Sequence, residues 1–491
     1  MDTSPETGGA RARPDTWPSR PASLVPASGT GALPDAPGVP KEAAADSVRP
    51  LPGPARVRPI WDGEHELDPT SFAPPPPLGE SHGSVQRWSR RAAFGPVDDP
   101  RRITGLDAAR GFALLGMVAV HTMPAYNELT GEPTMVWRLF AGHSSALFGV
   151  LAGVTIALIT GANNPHTGLR LRRDRVSLAV RALIILAIGL LLDQVGVPVY
   201  NILPYYALMF LVAIALTGLR IRHLLAFALL FTALGPVVIR LVAAWGGYTT
   251  TLNPSFSDVA DNPLDMLITL TVGGTYPAVT WMAYICVGMT LGRLDLRSVV
   301  THIWLVVVGG GTAAFGILLS TFLLDYGRVF RNIYELTDGY DATDIQEVLD
   351  YGPDGHLPTD TWWWLATSGP HTNTTLSVVS AAGLAVLAIG VFLLIASGVR
   401  ELLTPLIAVG SMTLTIYVSH LLFLKFALDA DCDNRVTLLI VQIVGAVLFA
   451  VVWTLVRGRG PLEEIVSRIC RFATRGVGRT PNPTPTPTPS S

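Results

Sequence analysis

Asp107, Arg110 and His121 are the first side chains that could bind an ion or move a proton within an apolar stretch of the chain. They stand in the segment GLDAARGFALLGMVAVH, residues 105–121, which is otherwise almost wholly apolar. An ionisable side chain inside a membrane is costly, so each is a functional candidate. Asp107 and Arg110 are three apart and can pair on one helix face. Arg110 and His121 are eleven apart. On a helix turning about 100° per residue this leaves them within roughly 20° of each other, about 16 Å apart along the axis. One stripe therefore carries an ion pair at one end and a histidine at the other. Arginine can hold an anion, and histidine titrates near neutrality and can move a proton. The plainer alternative is a helix-end ion pair plus an interfacial histidine.

A second polar run is GSMTLTIYVSH, residues 410–420. Thr413, Tyr417 and His420 share a helix face there. Ser411, Thr415 and Ser419 line an adjacent one, where hydroxyls often bond only their own backbone. His143 opens another apolar segment, ahead of Gly149 and Gly153, whose spacing permits close helix packing. It suits either a binding role or an interfacial one. The Tyr200–Tyr206 stretch reads as an aromatic belt or a cavity lining. Trp362–Trp364 and His371 suit either sugar stacking or a membrane-surface anchor. No Gly-rich phosphate loop, HExxH or GxSxG is present, which argues against a nucleotide-driven pump and a metalloprotease.

The framework around these side chains follows from composition. The 491 residues are 49% hydrophobic and only 15% charged, with a mean hydropathy of +0.42. Soluble chains carry about 25% charge, so a soluble enzyme is excluded and an all-α polytopic membrane protein is expected. A net charge of −2 gives no reason to expect a nucleic-acid partner. Cys286, Cys432 and Cys470 form no metal-ligand spacing, and no disulfide or bound metal is expected. Half of the 38 prolines precede residue 101. Residues 1–95 and 471–491 therefore read as disordered Pro-rich tails around a membrane domain, 96–470. No signal peptide is visible.

Ten segments are long enough to span a bilayer at about 20 residues each. They are roughly 105–126, 141–161, 176–195, 199–218, 222–245, 274–293, 299–324, 374–398, 402–427 and 436–457. Residues 264–272 read as a separate short or re-entrant piece. With ten spans, Arg101 and Arg102, Arg170 to Arg175, Arg220 and Arg222, Arg293 and Arg297, Arg400, and Arg457 and Arg459 all fall on one side, which is then the cytoplasm. The acidic loops, including 325–373, fall on the other. Both termini are then cytoplasmic, and the protein lies in the cell membrane among lipids.

The run RITGLDAARGFALLGMVAVH, residues 102–121, resembles the first helix of transmembrane acyltransferases. These comprise the acyltransferase-3 family, the heparan-alpha-glucosaminide N-acetyltransferase-like family and the YeiB-like family. Arg110 and His121 match the acyltransferase-3 pattern of an Arg, ten residues and a His. GSMTLTIY from Gly410, and the Gly-Pro-Leu-Glu ending at Glu463, look like the YeiB-like group, with Arg468 following. The resemblance covers about residues 102–470. It implies transfer of an acyl group from cytoplasmic acyl-CoA, usually acetyl-CoA, to an envelope sugar or glycolipid on the far side. His121 takes the catalytic place. The heparan-type enzymes carry their active His in the loop after helix one; here Tyr126 to Arg138 contains none, so that role does not transfer.

The expectation is thus an acyl-CoA-dependent membrane acyltransferase that modifies envelope glycans. His121 acts as base or acyl acceptor, with Tyr417 or His420 as its hydrogen-bonding partner. Arg110 and Asp107 shape the inner mouth toward CoA. The alternative is a transporter of a small metabolite or lipid-linked sugar without acyl transfer. Self-association into a homo-oligomer is left open.

Overall fold

The computed structural model describes residues 102–477, apart from 247–249, 251–252 and 433. The Pro-rich tail 1–95, and the C-terminal tail beyond 477, lie outside the described residues. Among those described no strand forms, only an isolated bridge between Tyr126 and Pro133.

Every one of the ten apolar segments contains helix. In chain order the α-helices are α1 Thr104–Thr122, α2 Met135–Phe140, α3 His143–Ile159, α4 Gly168–Val195, α5 Leu203–Leu216 and α6 Ile221–Trp245. Then come α7 Phe256–Asp261, α8 Pro263–Ile268, α9 Ala278–Leu291, α10 Val299–Asp325, α11 Val329–Leu336 and α12 Ala342–Tyr351. The last are α13 Thr375–Gly398, α14 Thr404–Gly410, α15 Thr413–Asp429, α16 Arg435–Val456 and α17 Pro461–Thr474. The domain boundary expected at 470 thus falls inside α17, four residues before its end.

Length and composition single out six candidate crossings among the described residues, not ten: the α2–α3 run, α4, α6, α10, α13 and α16. A seventh exists if α14 and α15 are one span bent by 65°. The difference has a physical cause. α5 and α9 have 14 residues each, a rise of about 21 Å against a hydrocarbon core of about 30 Å. α1 is weakened as a lipid-facing span by Asp107, Arg110 and His121. It is instead an inner helix, packed by α3, α13, α14, α15 and α16 and buried along most of its length. The outer helices show the converse, with Leu229, Leu318 and Leu448 exposed on α6, α10 and α16. Such a belt is stable against lipid rather than water.

Two close backbone approaches fix the interior. A Cβ on Gly111 would collide with the Leu406 carbonyl, and one on Gly410 with the Asp107 carbonyl, so α1 and α14 touch main chain to main chain. Gly153 and Gly288 do the same for α3 and α9, against the carbonyls of Ile285 and Val150. Without a hydrophobic force between helices in lipid, such contact is a main source of packing energy.

The short piece before α9 is separate, as the sequence indicates: α8 runs into a π-turn, Thr269–Gly273, and the chain then breaks. The 325–373 loop folds over a core of its own, Val329, Ile333, Ile345, Val348 and Trp364. Trp364 is fully buried there and donates Nε1–H to Thr337 Oγ1 at 3.1 Å. It is therefore a packing residue, neither a sugar platform nor a surface anchor. Arg240 of α6 ties this loop down by donating to the carbonyls of Pro358 and Thr359, with its guanidinium 4.5 Å from the Trp362 ring centroid.

Candidate functional site

At the start of α1, Asp107 is 4% exposed and bridged twice. Arg102 Nε donates to Oδ2 at 2.5 Å and Arg110 Nη1 to Oδ1 at 2.7 Å. Arg110 Nη2 reaches across to Thr155 Oγ1 on α3 at 2.7 Å. A buried carboxylate needs such pairing, and here two guanidinium groups supply it. Both Nη groups of Arg110 therefore already hold protein partners.

At the other end of α1 the structure brings His121 and His420 together. His121 Nδ1 lies 2.9 Å from His420 Nε2, and the rings stack 9° from parallel. His420 Nδ1 lies 2.8 Å from Gln442 Oε1 on α16, and Gln442 Nε2 is 3.0 Å from Thr122 Oγ1. The Thr122 hydroxyl donates to the Val118 carbonyl at 2.7 Å. His420, Gln442 and Thr122 are buried, whereas His121 is partly open. Its Nε2 has no protein hydrogen bond among the described residues. The arrangement is a polar chain, closed at one end on a helix backbone and ending at the other in an imidazole nitrogen free to meet a ligand.

Tyr417 sits beside this chain and not in it. Its ring is 6.3 Å from that of His420, and its hydroxyl accepts the Ile202 N–H at 3.4 Å, at the start of α5. Of the two hydrogen-bonding partners expected for His121, the geometry supplies His420. His143 turns its Nδ1 to the Leu139 carbonyl at 3.2 Å and stays outside the chain.

His371 closes over the same end from the 325–373 loop. It has a φ of 55°, packs edge-on against Tyr276 at 5.5 Å, and lines two clefts, one shared with Arg240 and Trp364 and one with His143 and Tyr284. Asn373 braces the turn, accepting Trp281 Nε1–H at 2.8 Å and donating to the His371 carbonyl at 3.0 Å. Burial, and then the neighbouring His143, push the His371 imidazole down to about 4. Its Nδ1 is buried without a partner.

Sequence reasoning misses Gln442 and Thr122, and places His371 only as a sugar-stacking or membrane-anchor candidate beside Trp362–Trp364. Gln442 left one signal, an amide within an otherwise apolar span. Among the described residues no three His, Cys, Asp or Glu side chains gather as metal ligands.

Fold and site together define a polytopic helical membrane protein with a paired-histidine centre. Residues 102–308 match the family described as heparan-alpha-glucosaminide N-acetyltransferase, catalytic. Residues 355–472 match the family described as protein of unknown function (DUF418). No curated protein matches the chain. The two matches together support a likeness to the transmembrane acyltransferase-like family. Its site is composite: His121 and Thr122 come from the first matched region, His420 and Gln442 from the second.

Proposed function

We propose that the protein moves an acyl group, acetyl in the simplest case, from cytoplasmic acyl-CoA to a hydroxyl or amine of an envelope sugar or glycolipid on the outer face. The observation that carries this reading is the His121–His420 contact, which leaves His121 Nε2 open in a site otherwise closed by protein. The acetyltransferase description of the first matched family supports it. In this reading α1, α5 and α9 cross as short inner helices, the chain passes the membrane ten times, and both termini are cytoplasmic.

The His121 Nε2 lone pair takes the acceptor's proton as the acceptor oxygen or nitrogen bonds to the thioester carbonyl carbon. The carbon–sulfur bond breaks, and the CoA thiolate takes the proton back from the His121 imidazolium. His420, hydrogen-bonded to Nδ1, stabilises that imidazolium. Base catalysis of this kind contributes about 10²–10⁴-fold. Arg110, held by Asp107, offers its remaining N–H groups to a CoA phosphate at the inner mouth, and the inner arginine loops raise the local donor concentration.

The test is mass spectrometry of envelope glycans and glycolipids from cells with the protein, without it, and with His121→Ala. The expected result is an acetyl increment present only with the intact protein, while His121→Ala stays folded in the membrane. The same increment in the His121→Ala strain sinks the assignment. Substrate flux in liposomes without acyl product makes the protein a transporter.

A further inference from the structure

The geometry points to Gln442 as a positioning residue that, anchored by Thr122, sets the tautomer of both histidines and so leaves the His121 Nε2 lone pair unprotonated. The inference deepens the acyl-transfer reading and rests on it for its catalytic meaning, though the bonding argument stands alone.

The direction of the chain follows from proton counting. A threonine hydroxyl has one proton. Thr122 Oγ1 lies 2.7 Å from the Val118 carbonyl oxygen, which has no proton to offer, so the hydroxyl proton must lie on that line. Thr122 can then only accept from Gln442, and the group facing it at 3.0 Å is Nε2. The amide is thereby oriented, and its Oε1 must accept from His420 Nδ1 at 2.8 Å. His420 therefore carries a proton on Nδ1, and with both imidazoles neutral its Nε2 accepts from His121 Nδ1 at 2.9 Å. His121 in turn carries its proton on Nδ1 and none on Nε2. Reversing the chain flips the amide and leaves Thr122 Oγ1 and the Val118 oxygen lone pair to lone pair at 2.7 Å, a buried contact with no hydrogen in it. With both imidazoles neutral, the forward direction is the only one in which every contact holds a proton.

An activity-independent reading of this is the rate at which diethyl pyrocarbonate modifies His121 in the purified full chain, followed by peptide mass spectrometry across pH. The reagent attacks an unprotonated imidazole nitrogen. The titratable groups facing His121 are His420 from α15 and His371 from the outer loop, with Tyr417 beside His420; α16 offers only the neutral Gln442. Gln442→Glu places a carboxylate on His420 Nδ1, favours a doubly protonated His420, and so forces His121 to protonate at Nε2. The midpoint of modification should rise by about 1 pH unit or more. Thr122→Ser keeps the hydroxyl and should behave as the parent. Thr122→Val removes it and should slow modification several-fold. An unchanged midpoint in Gln442→Glu overturns the assignment, and so do equal rates in the two Thr122 variants; the Thr122 pair decides alone if Gln442→Glu does not fold. A shifted midpoint in a protein that makes no acyl product would remove the acyl-transfer reading and leave the tautomer assignment standing.

Discussion

Glu463 closes on Thr415 with both carboxylate oxygens. Oε1 accepts the backbone N–H at 3.0 Å and Oε2 accepts the hydroxyl at 2.5 Å, while Thr415 Oγ1 in turn accepts the Leu462 N–H at 3.1 Å. Thr415 is the third residue of α15, so its N–H is one that the helix itself leaves without a partner. The 65° break between α14 and α15 creates that need inside the protein, and the start of α17 meets it. The Gly-Pro-Leu-Glu motif is thus a cap for the helix that carries His420.

Glu463→Ala should therefore destabilise the protein by about 1–3 kcal/mol, the cost of leaving a buried donor unmade. Glu463→Gln keeps one acceptor oxygen and should lose less. Thermal unfolding of the purified protein in detergent checks both. Equal unfolding temperatures for the parent and Glu463→Ala would remove the capping role.

Gly410→Ala acts on the other side of the same break. The new Cβ meets the Asp107 carbonyl, a backbone atom that cannot swing away. Overpacking typically costs about 1–3 kcal/mol. The displaced α14 also moves α15 away from α1, so the His121–His420 contact should suffer beyond the loss of stability. At a temperature where the variant remains folded, activity should fall by more than the folded fraction does. Loss of activity in proportion to folded protein would show that the contact tolerates the shift.

These two contacts show what the sequence discloses and what it hides. The stripe of Asp107, Arg110 and His121 is legible because helix geometry fixes the face of residues eleven apart. The pairing of His121 with His420 is not, because 299 residues separate them and no local pattern records a long-range contact. Gln442 is a lone amide among lipid-facing residues such as Val441 and Val444, and only the fold turns it inward. The break after Gly410 leaves no mark in hydropathy, since Ser411 and Met412 read as continuous helix; it is the Glu463 cap, 48 residues on from Thr415, that makes a new helix start stable. Counting apolar runs locates ten helical segments, whereas helix length and composition single out only six or seven crossings, because inner helices such as α5 and α9 are shorter than the hydrocarbon is thick.

Asp107 and Arg110 can be separated by their failures. Asp107→Asn leaves Arg102 and Arg110 without their shared anion in a partly buried site. Breaking a buried pair in this way costs about 3–5 kcal/mol, reduced here because both guanidinium groups keep some solvent. The expected result is a lower unfolding temperature. Arg110→Gln keeps a donor toward Thr155 and removes the charge. If Arg110 meets a CoA phosphate, that variant raises KM for acyl-CoA several-fold with little change in kcat. An unchanged KM beside a lowered unfolding temperature would confine Arg110 to structure.

His371 gives a pH dependence whose sign is fixed. An unfolded histidine titrates near 6.5, whereas folded His371 is held down to about 4 by burial and then by His143. Between these values the unfolded chain binds a proton that the folded chain does not, so acid favours unfolding. The contribution is complete above pH 6.5 and is lost as pH falls toward 4. The slope is at most about 1.4 kcal/mol per pH unit, and smaller to the extent that solvent reaches the partly exposed ring. His371→Asn removes the titration and suits the left-handed backbone at this position, where φ is 55° and asparagine is tolerated. Unfolding temperatures of parent and variant at pH 7 and pH 5 provide the check. The variant should lose fewer degrees between the two pH values than the parent, and parallel losses would mean that His371 takes up its proton as readily in the fold as out of it.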